Sequence, residues 1–228
     1  MSAQVHPFDR ARQLAAACHT IEDFAAVSEA MTSTLRRALL ETPEMADGAL
    51  DYYLILARSI AKRLGCGATV SLPRAAVELL NEVRPEDREL LRTARYAVAS
   101  FLSRAGRPSE AANVLLPIVV ECPTTVPTEM KMIWATLLGE LLDAERFTEL
   151  EALACKLKEI SMREDELLKT LYALEMLALA REKQGAPVEK IAEPLREELA
   201  VLESKGRNYG RPRKNVEDWL ERIGASKL

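Results

Sequence analysis

Apolar residues recur every three to four positions along most of this 228-residue chain. That spacing places them on one face of an α-helix. The pattern predicts a short helix over residues 8–18, a helix from Thr20 to Glu41 and another that ends at Leu64. Strand-type runs are nearly missing from the sequence, and the best of them, Ile118–Val120, is isolated. The pattern therefore indicates an all-α protein.

Capping residues mark the ends of these helices. Thr20 followed by Asp23 is typical of a capping box, in which each residue satisfies a backbone N–H of the other. Gly65 and Gly67 are expected to end the preceding helix by adopting positive φ. Ser71 is expected to cap the short helix that follows.

Turn positions recur at nearly constant intervals of 41, 40 and 39 residues. Each follows one Leu/Ala-rich helical segment and precedes another. The four positions are Gly65, Gly106, Arg146 and Gly185. A period of about 40 residues built from helix–turn–helix units is typical of a helical-repeat array, whose product is exposed surface.

Composition divides the chain into three predicted parts. Residues 1–203 form the helical-repeat array, 204–214 a basic linker, and 215–228 a short C-terminal helix. Within the array, Pro117 and Pro194 fall inside predicted helices, where proline is expected to bend or end them.

The bulk composition narrows the function. Net charge is −4 and the pI about 5.5, so the chain lacks the overall basic character of a nucleic-acid-binding domain. The four cysteines form no CxxC pair, which favours reduced thiols and a cytoplasmic location. A weak mitochondrial-targeting character of residues 1–17 leaves that compartment possible. No apolar run is long enough to predict a membrane span.

Catalytic motifs are not found in the sequence. His6 and His19 are the two histidines, and no zinc-type, phosphate-loop or nucleophile-elbow pattern surrounds them or any serine. We therefore expect no enzyme activity, no metal, no cofactor and no small-molecule substrate. The acidic stretch Glu145–Glu166 is either a solvated face or a docking rim for a basic partner.

The segment 204–214 is the strongest local charge anomaly, with five basic residues and no acid. It can be a plain linker, an arm that contacts an acidic protein, or a strand that tracks RNA phosphates and stacks a base on its tyrosine. The residues concerned are Lys205, Arg207, Tyr209, Arg211, Arg213 and Lys214.

The stretch Arg92–Pro123 resembles a tetratricopeptide repeat. With Gly106 at the turn, Ala99 and Ala111 fall on the small residues where the two helices cross, and Pro123 falls on the closing proline. The wording AGRPSEAANVL is close to the family's turn and second helix. The resemblance implies a right-handed α-α superhelix of about four helical hairpins.

The other units resemble the family less closely. Gly139 fits the small position of the third pair, and Ala178 with Gly185 fits the fourth. The period near 40 exceeds the family's usual 34, and such stretched repeats also resemble the N-terminal arrays of proteasome-lid and signalosome subunits. Tyr96 and Ser100 occupy the positions of the Lys and Asn that clamp chaperone tails in some members, so that clamp is not expected here.

The resemblance implies a protein-interaction scaffold or adaptor, a subunit of a larger complex that binds a partner peptide or helix in a groove. The alternative is an RNA-associated helical-repeat protein held by its basic tail. The candidate groove residues are Arg92, Arg95, Tyr96, Lys131, Lys169 and Tyr172.

Overall fold

The computed structural model describes residues 8–121, 131–204 and 210–225, and within these residues the protein is entirely helical. The α-helices are α1 Asp9–Ala17, α2 Ile21–Glu41, α3 Ala46–Leu64, α4 Cys66–Thr69, α5 Ser71–Val83, α6 Arg88–Arg104, α7 Pro108–Val120, α8 Lys131–Asp143, α9 Phe147–Arg163, α10 Leu167–Lys183, α11 Val188–Ser204 and α12 Gly210–Arg222. A 3₁₀ turn, Pro43–Met45, precedes α3. The predicted all-α fold of sequentially paired helices is confirmed. In these ranges, no helix combines the length and apolarity needed to cross a membrane.

The chain divides into two compact units, residues 1–118 and residues 119–228, which we call unit 1 and unit 2. In unit 1, α2 packs against α3 and α5, and α5 packs against α6. The core of unit 1 includes Tyr53, whose hydroxyl donates to the carbonyl oxygen of Leu72 at 2.8 Å. Burial raises the pKa of Tyr53 to about 12.

The capping box predicted at the start of α2 is present. The backbone N–H of Asp23 donates to Thr20 Oγ1 at 3.3 Å, and the backbone N–H of Thr20 donates to the Asp23 carboxylate at 3.2 Å. The Thr20 hydroxyl also donates to this carboxylate at 2.9 Å, and that hydrogen bond, followed by those from the backbone N–H groups of His19 and Thr20, lowers the pKa of Asp23. The local sequence therefore determines where α2 begins.

Unit 2 stacks its helices in chain order, with α9 against α10, α10 against α11 and α11 against α12. Small side chains let α10 and α11 approach each other, since Ala178 and Ala192 are fully buried. Their neighbours in one apolar cluster are Leu195, Val216, Leu220 and Ala225. The cluster fixes α12 on the preceding helical pair.

One turn conformation ends five of the described helices. A residue with positive φ stands at Gly106, Glu145, Asp165, Gly185 and Gly224. In each case the N–H of the next residue donates to the carbonyl oxygen five positions earlier, at 2.8–3.0 Å. This is the Schellman arrangement, which satisfies carbonyls at the end of a helix. Gly106, Glu145, Gly185 and Gly224 are 39, 40 and 39 residues apart, and Asp165 lies between the second and the third. Gly106 and Gly185 are predicted turn positions, whereas Gly65 ends α3 with its own N–H donating to the Ala61 carbonyl oxygen at 2.9 Å, and Gly224 is not among the predicted positions.

The third turn differs by one residue from the prediction. The positive φ belongs to Glu145, at 57°, rather than to Arg146. Arg146 precedes α9 and donates two hydrogen bonds of 2.7 Å to Glu149. Its side chain links the end of the turn to the first turn of α9, and the pair raises the pKa of Arg146 and lowers that of Glu149.

Two local predictions, at Gly67 and Ser71, are wrong. Gly65 has φ 87°, as expected, but Gly67 lies inside the short helix α4. Ser71 lies inside the helical segment and caps nothing, because the chain is already helical at Val70. Neither proline ends its helix at once, since α7 continues from Pro117 to Val120 and α11 continues ten residues beyond Pro194. A bend at each proline stays a prediction.

Packing explains these differences in part. The proline of α11 is buried, so apolar contacts offset the hydrogen bond that its ring removes. The close approach expected at Gly139 is not found, since a Cβ added there would meet no atom within 4 Å.

The last described helix begins earlier than predicted. Gly210 starts α12, so residues 210–214, assigned to a basic linker, belong to a helix. Pro212 is tolerated there because the first turn of a helix has no partner for its missing N–H. The division of the chain at 203 and 214 otherwise stays a prediction.

Candidate functional site

A cleft of about 480 Å³ lies within unit 2, between α10, α11 and α12. Its volume falls in the range typical of sites that bind small molecules or single side chains. The lining residues are Leu168, Leu171, Tyr172, Glu175, Glu198, Pro212, Asn215, Val216 and Trp219.

Two helix faces form the walls of this cleft. The residues of α10 that line it occupy positions i, i+3, i+4 and i+7 counted from Leu168, and those of α12 follow the same spacing from Pro212. Residues so spaced lie on one side of a helix. Each wall is therefore a single continuous stripe, and α11 contributes one side chain between them, that of Glu198.

Glu198 is a buried residue whose carboxylate has no cation among the described residues. The residue is 7% exposed, and in the described part of the chain it makes no hydrogen bond or ion pair. Burial raises its pKa to about 7, and the charge of Glu175 adds to the effect. Near neutral pH this carboxyl group is only partly ionised.

Glu175 stands at the mouth of the same cleft. The residue is exposed to solvent, yet partial desolvation of its carboxyl group raises its pKa. The described residues supply no ion-pair partner for it either. The cleft therefore carries two acidic groups and no counter-ion from these residues.

Aromatic side chains complete the lining. The Tyr172 hydroxyl donates to the carbonyl oxygen of Ala135 at 3.0 Å, and desolvation followed by the charge of Glu175 raises the pKa of Tyr172. On the opposite wall, Trp219 Nε1 donates to Glu182 at 3.1 Å. Arg222 donates to the same carboxylate at 2.7 Å and lies over the Trp219 ring at 5.7 Å. These contacts fix both rings.

The groove residues predicted from the sequence belong to different helices. Arg92, Arg95 and Tyr96 are half-buried on α6 of unit 1. Tyr172 is the predicted residue that lines the cleft. Lys131 begins α8, and its side chain lies outside the described atoms.

Lys169 is engaged within the chain. Its ammonium lies 3.6 Å from the carboxylates of both Glu164 and Glu166, and its side chain is only 10% exposed. Lys169 as a whole is half-buried, so its role as a partly exposed groove residue stays a prediction, with its ammonium engaged by the two acids ahead of α10.

The basic tail is only partly described. Arg213 lies 2.8 Å from Glu217 and 3.4 Å from Glu203, while Lys214 is exposed. The predictions for four residues fall outside the described side chains, namely Lys205, Arg207, Tyr209 and Arg211.

Sequence reasoning did not identify Glu175, Glu198 or Trp219 as site residues. A signal for Glu198 exists in the sequence, since it continues the apolar stripe of Ile191 and Leu195 toward Leu202 at spacings of four, three and four. A carboxylate at such a position is buried against its chemical preference. Nothing comparable in the sequence identifies Glu175.

The fold defines a class: an all-α protein whose helices pack sequentially in adjacent pairs. The crystal structure of BtubC (BKLC) from P. vanneervenii is similar, with a TM-score of 0.52 and 18% sequence identity over 91% of this chain and 92% of that one. No protein-family model matches the chain. A search of curated protein sequences gives no match either.

Proposed function

We propose that this protein is a non-catalytic helical-repeat protein that binds other proteins and serves as a scaffold or adaptor within a larger complex. The observation that carries the proposal is the recurrence of one turn at Gly106, Glu145, Asp165, Gly185 and Gly224, which ends successive helices that pack on their neighbours in the chain. Arrays of this kind present extended surfaces for partner recognition. The fold-level likeness to BtubC supports the same class.

Exposed apolar side chains on the helices add support. Ile55, Met132, Met162 and Leu168 are large and exposed, and Leu168, at 78%, stands at the mouth of the cleft. Single exposed apolar residues are ordinary. One beside a cleft with fixed aromatic walls provides the anchor point that a protein partner uses.

Affinity capture with the full chain tests this proposal. We expect defined proteins to be enriched at low salt and to bind the purified chain with fixed stoichiometry in calorimetry. The control bait is an unrelated helical protein of matched size and net charge. Recovery of the bait alone, or of the same proteins with the control, would contradict the proposal.

RNA association through residues 204–214 stays a prediction, and the ion pairs of Arg213 with Glu203 and Glu217 reduce the charge available for phosphates. Replacing the five basic residues of this segment by glutamine separates the two functions. Salt-dependent RNA binding that this replacement abolishes would favour the RNA-associated alternative. Unchanged protein capture by the same variant is expected on the scaffold proposal.

A further inference from the structure

The cleft between α10, α11 and α12 contains a buried acidic residue, Glu198. A carboxylate transferred from water into a protein interior loses hydration, and it is retained there when a cation or hydrogen-bond donors replace that hydration. Glu198 is more than nine-tenths buried and, within the described residues, has neither. Its carboxylate faces a cleft large enough to admit a side chain.

Other acidic residues on α10 and α11 form ion pairs with cations of the chain. Glu182 is bound by Arg222, Glu193 by Arg181 and Glu197 by Lys158, at 2.7, 2.7 and 3.0 Å. Cations of the chain thus neutralise carboxylates at neighbouring points of α10 and α11. At the cleft, Glu175 and Glu198 both remain without one among the described residues.

We propose that the cleft binds the guanidinium group of an arginine side chain from a partner protein, with Glu198 as its counter-ion at the base and Glu175 at the mouth. The inference rests on the proposed function, because it names the group through which the partner is recognised.

Chemistry selects arginine among basic groups. A planar guanidinium forms two parallel hydrogen bonds with a carboxylate and stacks on aromatic rings, whereas an ammonium is compact and strongly hydrated. The cleft offers the carboxylate together with the aromatic side chains of Tyr172 and Trp219. Arg222 already packs on the same indole at 5.7 Å, and Leu171 provides apolar contact for the methylene stem.

Protonation of Glu198 competes with binding of the guanidinium group. The titratable groups that line the cleft are Glu175 and Tyr172 on α10 and Glu198 on α11, while the lining residues of α12 carry none. Since burial holds the pKa of Glu198 near 7, a cation binds the ionised form and is favoured at pH 8 over pH 6.

The test uses Nα-acetyl-arginine amide as probe and the neutral, nearly isosteric Nα-acetyl-citrulline amide as control. Two-dimensional ¹H–¹⁵N NMR of the full chain follows the two indole N–H signals. Trp219 lines the cleft, whereas Trp134 is buried elsewhere and serves as an internal reference. We expect a saturable shift of the Trp219 signal with the arginine probe, and binding at least about tenfold weaker with the citrulline probe.

Variants assign the binding to the carboxylates. Glu198→Gln should weaken the arginine probe about tenfold, and Glu175→Gln should weaken it about threefold. Glu189→Gln removes an exposed charge from the same helix as Glu198 and should leave binding unchanged. Binding of the wild type should also weaken severalfold from pH 8 to pH 6.

The inference is overturned by equal binding of both probes, by unchanged binding to the Glu198 variant, or by equal shifts at both indoles. It is also overturned if the probe binds only after Lys205 and Arg207 are replaced by alanine, since the chain's own tail would then be the occupant. Protein capture that persists without probe binding would leave the scaffold proposal standing and refute only the arginine site.

Discussion

Helix α10 contributes to two contact regions of unit 2. Acidic groups are paired with a cation in one region, and in the other the described residues supply no cation. Toward its C-terminal end, Arg181 lies 3.0 Å from Glu151 and 2.7 Å from Glu193, which joins α9, α10 and α11. Nearer its start, Glu175 shares a cleft with Glu198, and the described chain supplies no cation. We call the first the Arg181 junction and the second the acidic cleft.

The comparison distinguishes charges that are paired within the fold from charges that are available to a ligand. At the Arg181 junction the charges neutralise each other within the fold, and the Arg181 side chain also donates to the carbonyl oxygen of Lys190 at 2.8 Å. In the acidic cleft the fold carries an unbalanced desolvation cost, which raises the pKa of Glu198 to about 7. Functional sites commonly show such locally unfavourable groups.

The largest effect is expected at the acidic cleft itself. Glu198→Gln removes the buried charge but keeps the side-chain size, and it should stabilise the protein at pH 8 by about 2–3 kcal/mol. Chemical denaturation at pH 8 measures this. A loss of stability there would show that the carboxylate is satisfied in the folded state.

The same variant gives a pH dependence of defined sign. The folded-state pKa of Glu198, about 7, exceeds its usual value of 4.5. Unfolding therefore releases a proton between these values, and wild-type stability falls as pH rises from about 4.5 to 7. The difference between the variant and the wild type should be near zero at pH 4 and maximal above pH 7.

Breaking the Arg181 junction should act in the other direction. Arg181→Met leaves Glu151 and Glu193 without their cation and should cost about 2 kcal/mol of unfolding free energy, because the arginine is only 17% exposed. Denaturation at pH 7 measures the loss. No loss of stability would mean that the two junctions do not differ as described.

Supplying the acidic cleft with its own cation should make it resemble the Arg181 junction. Leu171 lines the cleft one turn before Glu175, so Leu171→Arg places a guanidinium beside both acids. The substitution should raise stability at pH 8 by about 1 kcal/mol and block the arginine probe. Leu171→Met is the matched control; if it blocks the probe equally, the charge is not responsible.

A more exposed pair should show the smallest effect. Lys158 and Glu197 are 3.0 Å apart with 24% and 31% of their side chains exposed. Because solvent screens such charges, Lys158→Met should cost about 0.5 kcal/mol. A loss as large as that of Arg181→Met would show that pairing, rather than burial, determines the energy.

Much of the fold could be predicted because it depends on local signals. The capping box at Thr20 and the turn at Gly106 lie where capping chemistry and positive φ require them. The third turn could not be placed exactly, since Glu145 adopts the left-handed conformation without being glycine. There the hydrogen bonds of the turn and the packing of α8 and α9 override residue preference.

The start of α12 shows a similar limit. Glycine and proline near Gly210 indicate a linker, but the Arg213–Glu217 pair at 2.8 Å and the buried side chain of Val216 extend the helix. These contributions require the tertiary structure, because the apolar face of α12 is stabilised by packing on α11.

The acidic cleft could not be derived from sequence because three helices form it. Tyr172 was identified as a candidate, but Glu175 and Trp219 acquire their roles only when α10 and α12 are brought to the same side of α11. Residue spacing shows which face each shares with its own helix. It does not show which charge on another helix lies opposite.

The ionisation of Glu198 provides the most direct test of this account. NMR of the side-chain ¹³Cδ, assigned with the Glu198→Gln variant, gives the pKa of that carboxyl group with and without saturating Nα-acetyl-arginine amide. We predict a midpoint near 7 for the free protein and a clear decrease when the probe is bound. A midpoint near 4.5 in the free protein, or one that the probe does not change, would contradict the account.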